Sequence, residues 1–192
     1  MPVPFSAWRG YRSDAFPASS WVLDGDMVRA LPHGTPVSLI SPERVADFDL
    51  TVQWRLPAGG NSGILYRVRE DAEAPWQSGP EMQLLDDAGH PDGRVPETSC
   101  GALYGLFAPQ VSVSCPADRF HVARVVARGP YVEHWLNGVR VLAYDLSSDD
   151  FRQRAARSKF GAYPHFARNR EGHLVLQHHG SEVCFRNVRL SP

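Results

Sequence analysis

Apolar and polar residues alternate over short stretches of this chain, and the clearest stretch runs from Asp47 to Leu56. One phase carries Phe48, Leu50, Val52, Trp54 and Leu56, and the other Asp49, Thr51, Gln53 and Arg55. A period of two puts successive side chains on opposite faces, so this reads as a strand with one face buried. Further strands are predicted at Trp21–Ala30, Ser62–Val68, Glu81–Asp86, Gly101–Phe107, Phe120–Ala127, Tyr131–Leu136, Val139–Tyr144, His173–His178 and Val183–Leu190. Asn137-Gly138 joins two of them, and both residues tolerate positive φ, which a two-residue hairpin turn requires. Only Asp149–Arg157 reads as a helix. Many short strands separated by Gly- and Pro-rich turns point to an antiparallel sandwich or barrel in one all-β domain spanning 1–192.

The 192 residues suffice for one ordinary core without a disulfide or metal staple. Lys and Arg number 20 against 21 Asp and Glu, for a net charge of −1, which disfavours a nucleic-acid partner. No apolar run approaches the roughly 20 residues of a membrane-spanning helix. The start, MPVPFSAWRGYRSD, has neither the basic nor the apolar segment of a secretory signal, so a cytoplasmic location is expected. Three cysteines, Cys100, Cys115 and Cys184, cannot all pair with one another, and reduced thiols are the simplest reading.

Polar residues at alternating strand positions carry the chemical signal. Glu81 and Gln83 share a face opposite Met82 and Leu84; Gln177 and His179 share one opposite Leu176; Arg67 shares its face with Gly63 and Leu65. Acid, amide, guanidinium and imidazole groups on one sheet face would suit a polyhydroxylated ligand, which such groups grip in bidentate fashion. Taken singly, each has a plainer explanation as a solvated outer residue or turn former. The loop Asp86–Asp92 has three carboxylates and an imidazole but matches no complete calcium-binding pattern.

Six blocks stand in order along nearly the whole chain. They include Gly59-Gly60-Asn61-Ser62-Gly63-Ile64, Pro80-Glu81-Met82-Gln83-Leu84-Leu85-Asp86-Asp87 and Gly101-Ala102-Leu103-Tyr104-Gly105-Leu106. Val132-Glu133-His134-Trp135-Leu136-Asn137-Gly138 and Leu176-Gln177-His178-His179-Gly180 follow. Together these blocks resemble the 3-keto-disaccharide hydrolase domain family, and the resemblance implies a concanavalin A-like jelly roll, a two-sheet antiparallel sandwich, acting on 3-keto-glycosides. A ketone at the third ring carbon acidifies the neighbouring C–H, so cleavage needs a base, an enolate stabiliser and an acid for the leaving oxygen. Glu81 is the candidate base, with His179 or His134 as the alternative. Arg67 is the candidate enolate stabiliser unless a divalent cation takes that role; no other cofactor is expected. Asp87 is a candidate acid if burial raises its pKa. Asn61, Gln83 and Gln177 would orient hydroxyls, with Tyr104 beside the ring. An oxidised carbohydrate is then the substrate, supplied by an upstream sugar 3-dehydrogenase. Two other readings stand beside this one: a non-catalytic carbohydrate-binding module, and a lyase that stops at the elimination product.

Overall fold

A computed structural model describes residues 1–32 and 35–192. Among the described residues, twelve strands form two antiparallel sheets: β1 (Arg9–Gly10), β2 (Trp21–Asp24), β3 (Met27–Ala30), β4 (Leu39–Val45), β5 (Phe48–Arg55), β6 (Asn61–Val68), β7 (Glu81–Leu85), β8 (His121–Arg128), β9 (Tyr131–Leu136), β10 (Val139–Asp145), β11 (Gly172–Leu176) and β12 (Cys184–Ser191). The five-stranded sheet runs β1-β4-β11-β6-β7 and the seven-stranded sheet β10-β9-β8-β5-β12-β3-β2. The non-sequential neighbours are crossovers between the layers of a jelly-roll sandwich. The phase in β5 is the one the pattern requires, with Phe48, Leu50, Val52 and Trp54 all buried between the sheets. Truncating any one of them to alanine would cost about 2–5 kcal/mol.

The β9–β10 turn has Asn137 at φ 48° and Gly138 at φ 84°, so both turn residues lie in the left-handed region, as the dipeptide demands. Helix α1 (Asp149–Arg157) starts at Ser148, whose side chain accepts from the Phe151 N–H at 3.2 Å. Acids in its first turn and arginines in its last complement the helix dipole.

Three expectations need correction. Trp21–Ala30 is two strands, because Gly25 at φ 59° turns the chain between them. Gly101–Phe107 is not a regular strand, since Gly101 (φ 86°) and Gly105 (φ 70°) break the extended run. It still lies along β7, with Gly101 N–H donating to Gln83 O at 2.8 Å and Tyr104 N–H to Glu81 O at 3.0 Å. The third concerns Arg67. Leu65 pairs with Val175 and Val68 with His173, so Tyr66 and Arg67 oppose Leu174 alone. That is a β-bulge, with Arg67 at φ 53°. Alternation slips there, so Val68 rather than Arg67 joins Leu65 in the apolar cluster outside the five-stranded sheet. Strands β1 and β4 were not foreseen.

Candidate active site

The outer face of the five-stranded sheet holds a small polar cleft at its β7 edge. Core-facing Ile64, Met82 and Leu84 leave Gly63, Glu81 and Gln83 on the opposite side. Gly63 pairs with Gln83 across the ladder and neighbours Glu81 diagonally. A Cβ on Gly63 would come within 2.0 Å of Glu81 Oε1, so the missing side chain is the space into which the carboxyl folds. Gln177 lies one residue beyond β11 but stays in register, its N–H donating to Gly63 O at 2.9 Å. Ser62 Oγ reinforces that junction by donating to Gln177 O at 2.8 Å.

The cleft has a volume of about 130 Å³ and is lined by Asn61, Trp76, Glu81, Gln83, Tyr104, Lys159, Gln177 and His179. It is smaller than the roughly 300–1,000 Å³ of drug-sized pockets, which suits part of one sugar ring. Six of these residues were candidates from the sequence. Trp76 and Lys159 were not, because each sits in a short 3₁₀ turn where no periodicity shows which way a side chain points. The Lys159 ammonium lies 4.6 Å from the Tyr104 ring centroid and 4.7 Å from that of Trp76. Both aromatic faces favour a cation at that range.

Electrostatics mark the cleft more sharply. Burial pushes the Glu81 carboxyl up to about 8, opposed by the charge of Lys159 and a hydrogen bond from Gln177. Burial in turn pushes the Lys159 ammonium down, opposed by Glu81 and Asp92. Two buried acceptors, Asn61 Oδ1 and Gln177 Oε1, have no hydrogen-bond partner among the described residues. A buried oxygen left unpaired costs about 1–3 kcal/mol, which a ligand hydroxyl would recover. Gln83 is anchored by donating from Nε2 to Thr98 O at 3.2 Å.

Three expected site residues lie elsewhere. The bulge carries the Arg67 guanidinium away from the cleft, where Nε and Nη2 donate to Ala46 O and Nη2 also to Gly129 O. His134 is sealed between the sheets. Its Nδ1 meets Gly101 O at 3.0 Å, and its Nε2 meets the hydroxyls of Tyr66 at 3.2 Å and Tyr144 at 3.1 Å. Burial pushes that imidazole down to about 4, and it does not line the cleft. Asp87 is pushed up by burial, but its Oδ1 accepts from Cys100 N–H at 2.8 Å and it does not line the cleft. Neighbouring Asp86 fixes a turn instead, accepting from Gly59 N–H at 2.7 Å. Among the described residues no three His, Cys, Asp or Glu side chains gather in a metal-binding arrangement.

A family model described as the 3-keto-alpha-glucoside-1,2-lyase-like domain matches residues 4–191. The chain belongs to that family. It is 28% identical over 216 aligned positions, 97% of this chain and 74% of the relative, to the 3-keto-disaccharide hydrolase of Bacteroides thetaiotaomicron. A crystal structure from Parabacteroides distasonis, described as a candidate glycosyl hydrolase, superposes with a TM-score of 0.88 at 27% identity, covering 98% of this chain and 89% of that one. The carbohydrate-binding module CBM66 of Bacillus subtilis shares the fold alone, with a TM-score of 0.62 at 11% identity over 97% of this chain and 96% of its own. Membership of the 3-keto-alpha-glucoside-1,2-lyase-like family supports a glycosyl-hydrolase-like function for this sandwich.

Proposed function

We propose that the chain cleaves 3-keto-glycosides, with Glu81 as the base that removes the proton from the ring carbon between the ketone and the anomeric centre. The C–H electron pair moves toward the ketone and generates an enolate. As the ketone reforms, the anomeric C–O bond breaks, and the leaving oxygen takes a proton. The products of this half-reaction are an unsaturated keto-sugar and an alcohol; addition of water across the new double bond completes hydrolysis. Lyase and hydrolase chemistry therefore share every step up to the addition of water.

The observation that carries this reading is a buried carboxyl, a cation and two carbonyl oxygens without partners among the described residues, in one hollow that suits part of a sugar ring. A carboxyl pushed up to about 8 is a stronger base when ionised than an ordinary one, and its titration falls near working pH. Lys159, not Arg67, takes the role of enolate stabiliser, because its ammonium shares the cleft with Glu81. His179, exposed at the rim, gives the proton to the departing oxygen. Asn61 Oδ1 and Gln177 Oε1 accept hydrogen bonds from ring hydroxyls, and Trp76 and Tyr104 flank the ring.

Incubation with a 3-keto-disaccharide tests the proposal. Release of free sugar by the parent protein and its loss in Glu81→Gln support it. A rise in melting temperature without any released sugar would instead indicate a carbohydrate-binding module, and an accumulating enone chromophore a lyase that stops at elimination.

A further inference from the structure

A second hollow is larger than the cleft. A groove of about 940 Å³ opens where the β4–β5 and β8–β9 turns meet α1 and the segment after it. Its wall includes Phe151, Phe160 and Phe166, the last two stacked with ring centroids 4.1 Å apart and planes 12° from parallel. Arg67 lines the same groove, brought there by the bulge in β6.

The state of that guanidinium is unusual. Its side chain is only 5% exposed, with Nε and Nη2 committed to backbone carbonyls. Among the described residues Nη1 makes no hydrogen bond, so a nearly buried cation keeps two donors without partners. Asp47, 3.7 Å from Nη2, also accepts from Gly129 N–H at 2.8 Å and is itself largely exposed. Arg152, Arg168 and Arg170 line the groove as well, and Asp47 is its one carboxylate among the described residues. Arg152 is engaged with Ser147 O and Asp149; Arg168 and Arg170 make no side-chain hydrogen bond among the described residues. Planar guanidinium groups match carboxylate oxygens, and three aromatic rings beside them match an apolar ring.

We propose that this groove is a second binding site, distinct from the cleft, for a small aromatic carboxylate. Its acid group takes the free Nη1 donors of Arg67, and its ring packs on Phe160 and Phe166. A bare inorganic anion would leave the aromatic wall unused, and a neutral aromatic would leave the Arg67 Nη1 donors without a charged acceptor. The two hollows share a wall. Lys159 belongs to the cleft while the next residues, Phe160 and Gly161, belong to the groove. Tyr163 of the groove meets Trp76 of the cleft edge to face, with centroids 5.0 Å apart.

Calorimetric titration with benzoate and with its neutral isostere benzamide tests the site. Benzoate is expected to bind at least tenfold more tightly than benzamide. Ala156→Trp, an exposed α1 position lining the groove, should block it and weaken benzoate at least tenfold without changing the melting temperature. The Arg168→Glu, Arg170→Glu double variant should weaken it as well, and Arg67→Met should abolish the preference for the acid over the amide. The surface variants decide the matter if Arg67→Met does not fold. Equal binding of acid and amide would overturn the proposal. So would benzoate binding indifferent to Ala156→Trp, or no saturable binding at millimolar benzoate. Lys159→Met separates the two hollows: benzoate affinity lost there but kept in Ala156→Trp would put the anion in the cleft and sink the second site.

Discussion

Two buried polar groups in this sandwich are displaced from their ordinary titration range by the same force, and only one belongs to the proposed chemistry. His134 sits between the sheets and Glu81 on the outer face of one sheet, and burial drives each toward its neutral form. The difference lies in their partners. Both ring nitrogens of His134 are occupied, by Gly101 O on one side and the Tyr66 and Tyr144 hydroxyls on the other. Glu81 opens onto a hollow that also contains a cation and two acceptors without partners among the described residues. A shifted pKa alone therefore marks burial, and unpaired groups beside it mark a place for a ligand.

The contrast breaks most visibly at Glu81. Replacing it with glutamine keeps the shape and removes the base, so turnover of a 3-keto-disaccharide should fall about 10²–10⁴-fold. Stability should move the other way. A carboxyl raised from 4.5 to about 8 is ionised in the unfolded chain while still neutral in the folded one. The parent protein therefore loses stability as pH rises from 4.5 to about 8, on the order of a few kcal/mol. Glu81→Gln should match the parent in melting temperature near pH 4.5 and exceed it increasingly up to about pH 8.

His134 should show the reverse separation. Substitution by leucine leaves Gly101 O and one O–H of the mutually bonded Tyr66–Tyr144 pair without their imidazole partner in the core and should cost about 2–4 kcal/mol of stability by urea titration. Turnover per folded molecule should stay within about twofold, since no cleft group is touched. Its neutral form is held down to about 4 in the folded state, so its contribution is present above pH 6.5 and lost as pH falls from 6.5 toward 4.

Lys159→Met sharpens the assignment of the cation. We expect kcat to fall about 10–100-fold with KM changed little, in the range of a lost charge stabiliser. Its charge holds Glu81 down, so removing it raises that carboxyl further. The rise of rate with pH, centred near 8 in the parent, should then move to higher pH. Asn61→Ala is the gentlest change: it removes one unpaired acceptor, so KM should rise several-fold with kcat nearly constant.

How far the sequence reaches follows from the same geometry. Strands with strict alternation, such as β5, and the turn at Asn137-Gly138 declare themselves because period and positive φ are local properties. Glu81, Gln83, Gln177 and His179 were legible for that reason, as was the kinship of the ordered blocks. Arg67 was misplaced because a bulge of one residue reverses every facing assignment beyond it, and its signal lies in pairing with β11, far away in the chain. His134 and Asp87 read as site residues because their types fit the chemistry, while only the packing shows one sealed and the other tied to a backbone N–H. Lys159 and Trp76 carry no periodic signal at all. They meet Glu81 through turns brought in from opposite directions along the chain.

Proton abstraction by Glu81 is tested most directly by cleaving a 3-keto-disaccharide in D₂O under single-turnover conditions and locating deuterium in the keto-sugar released. The account predicts deuterium at the ring carbon between the ketone and the anomeric centre with the parent protein. Neither deuterium nor cleavage should appear above background with Glu81→Gln. Cleavage that leaves the original hydrogen at that carbon, or an undiminished rate in Glu81→Gln, would contradict it.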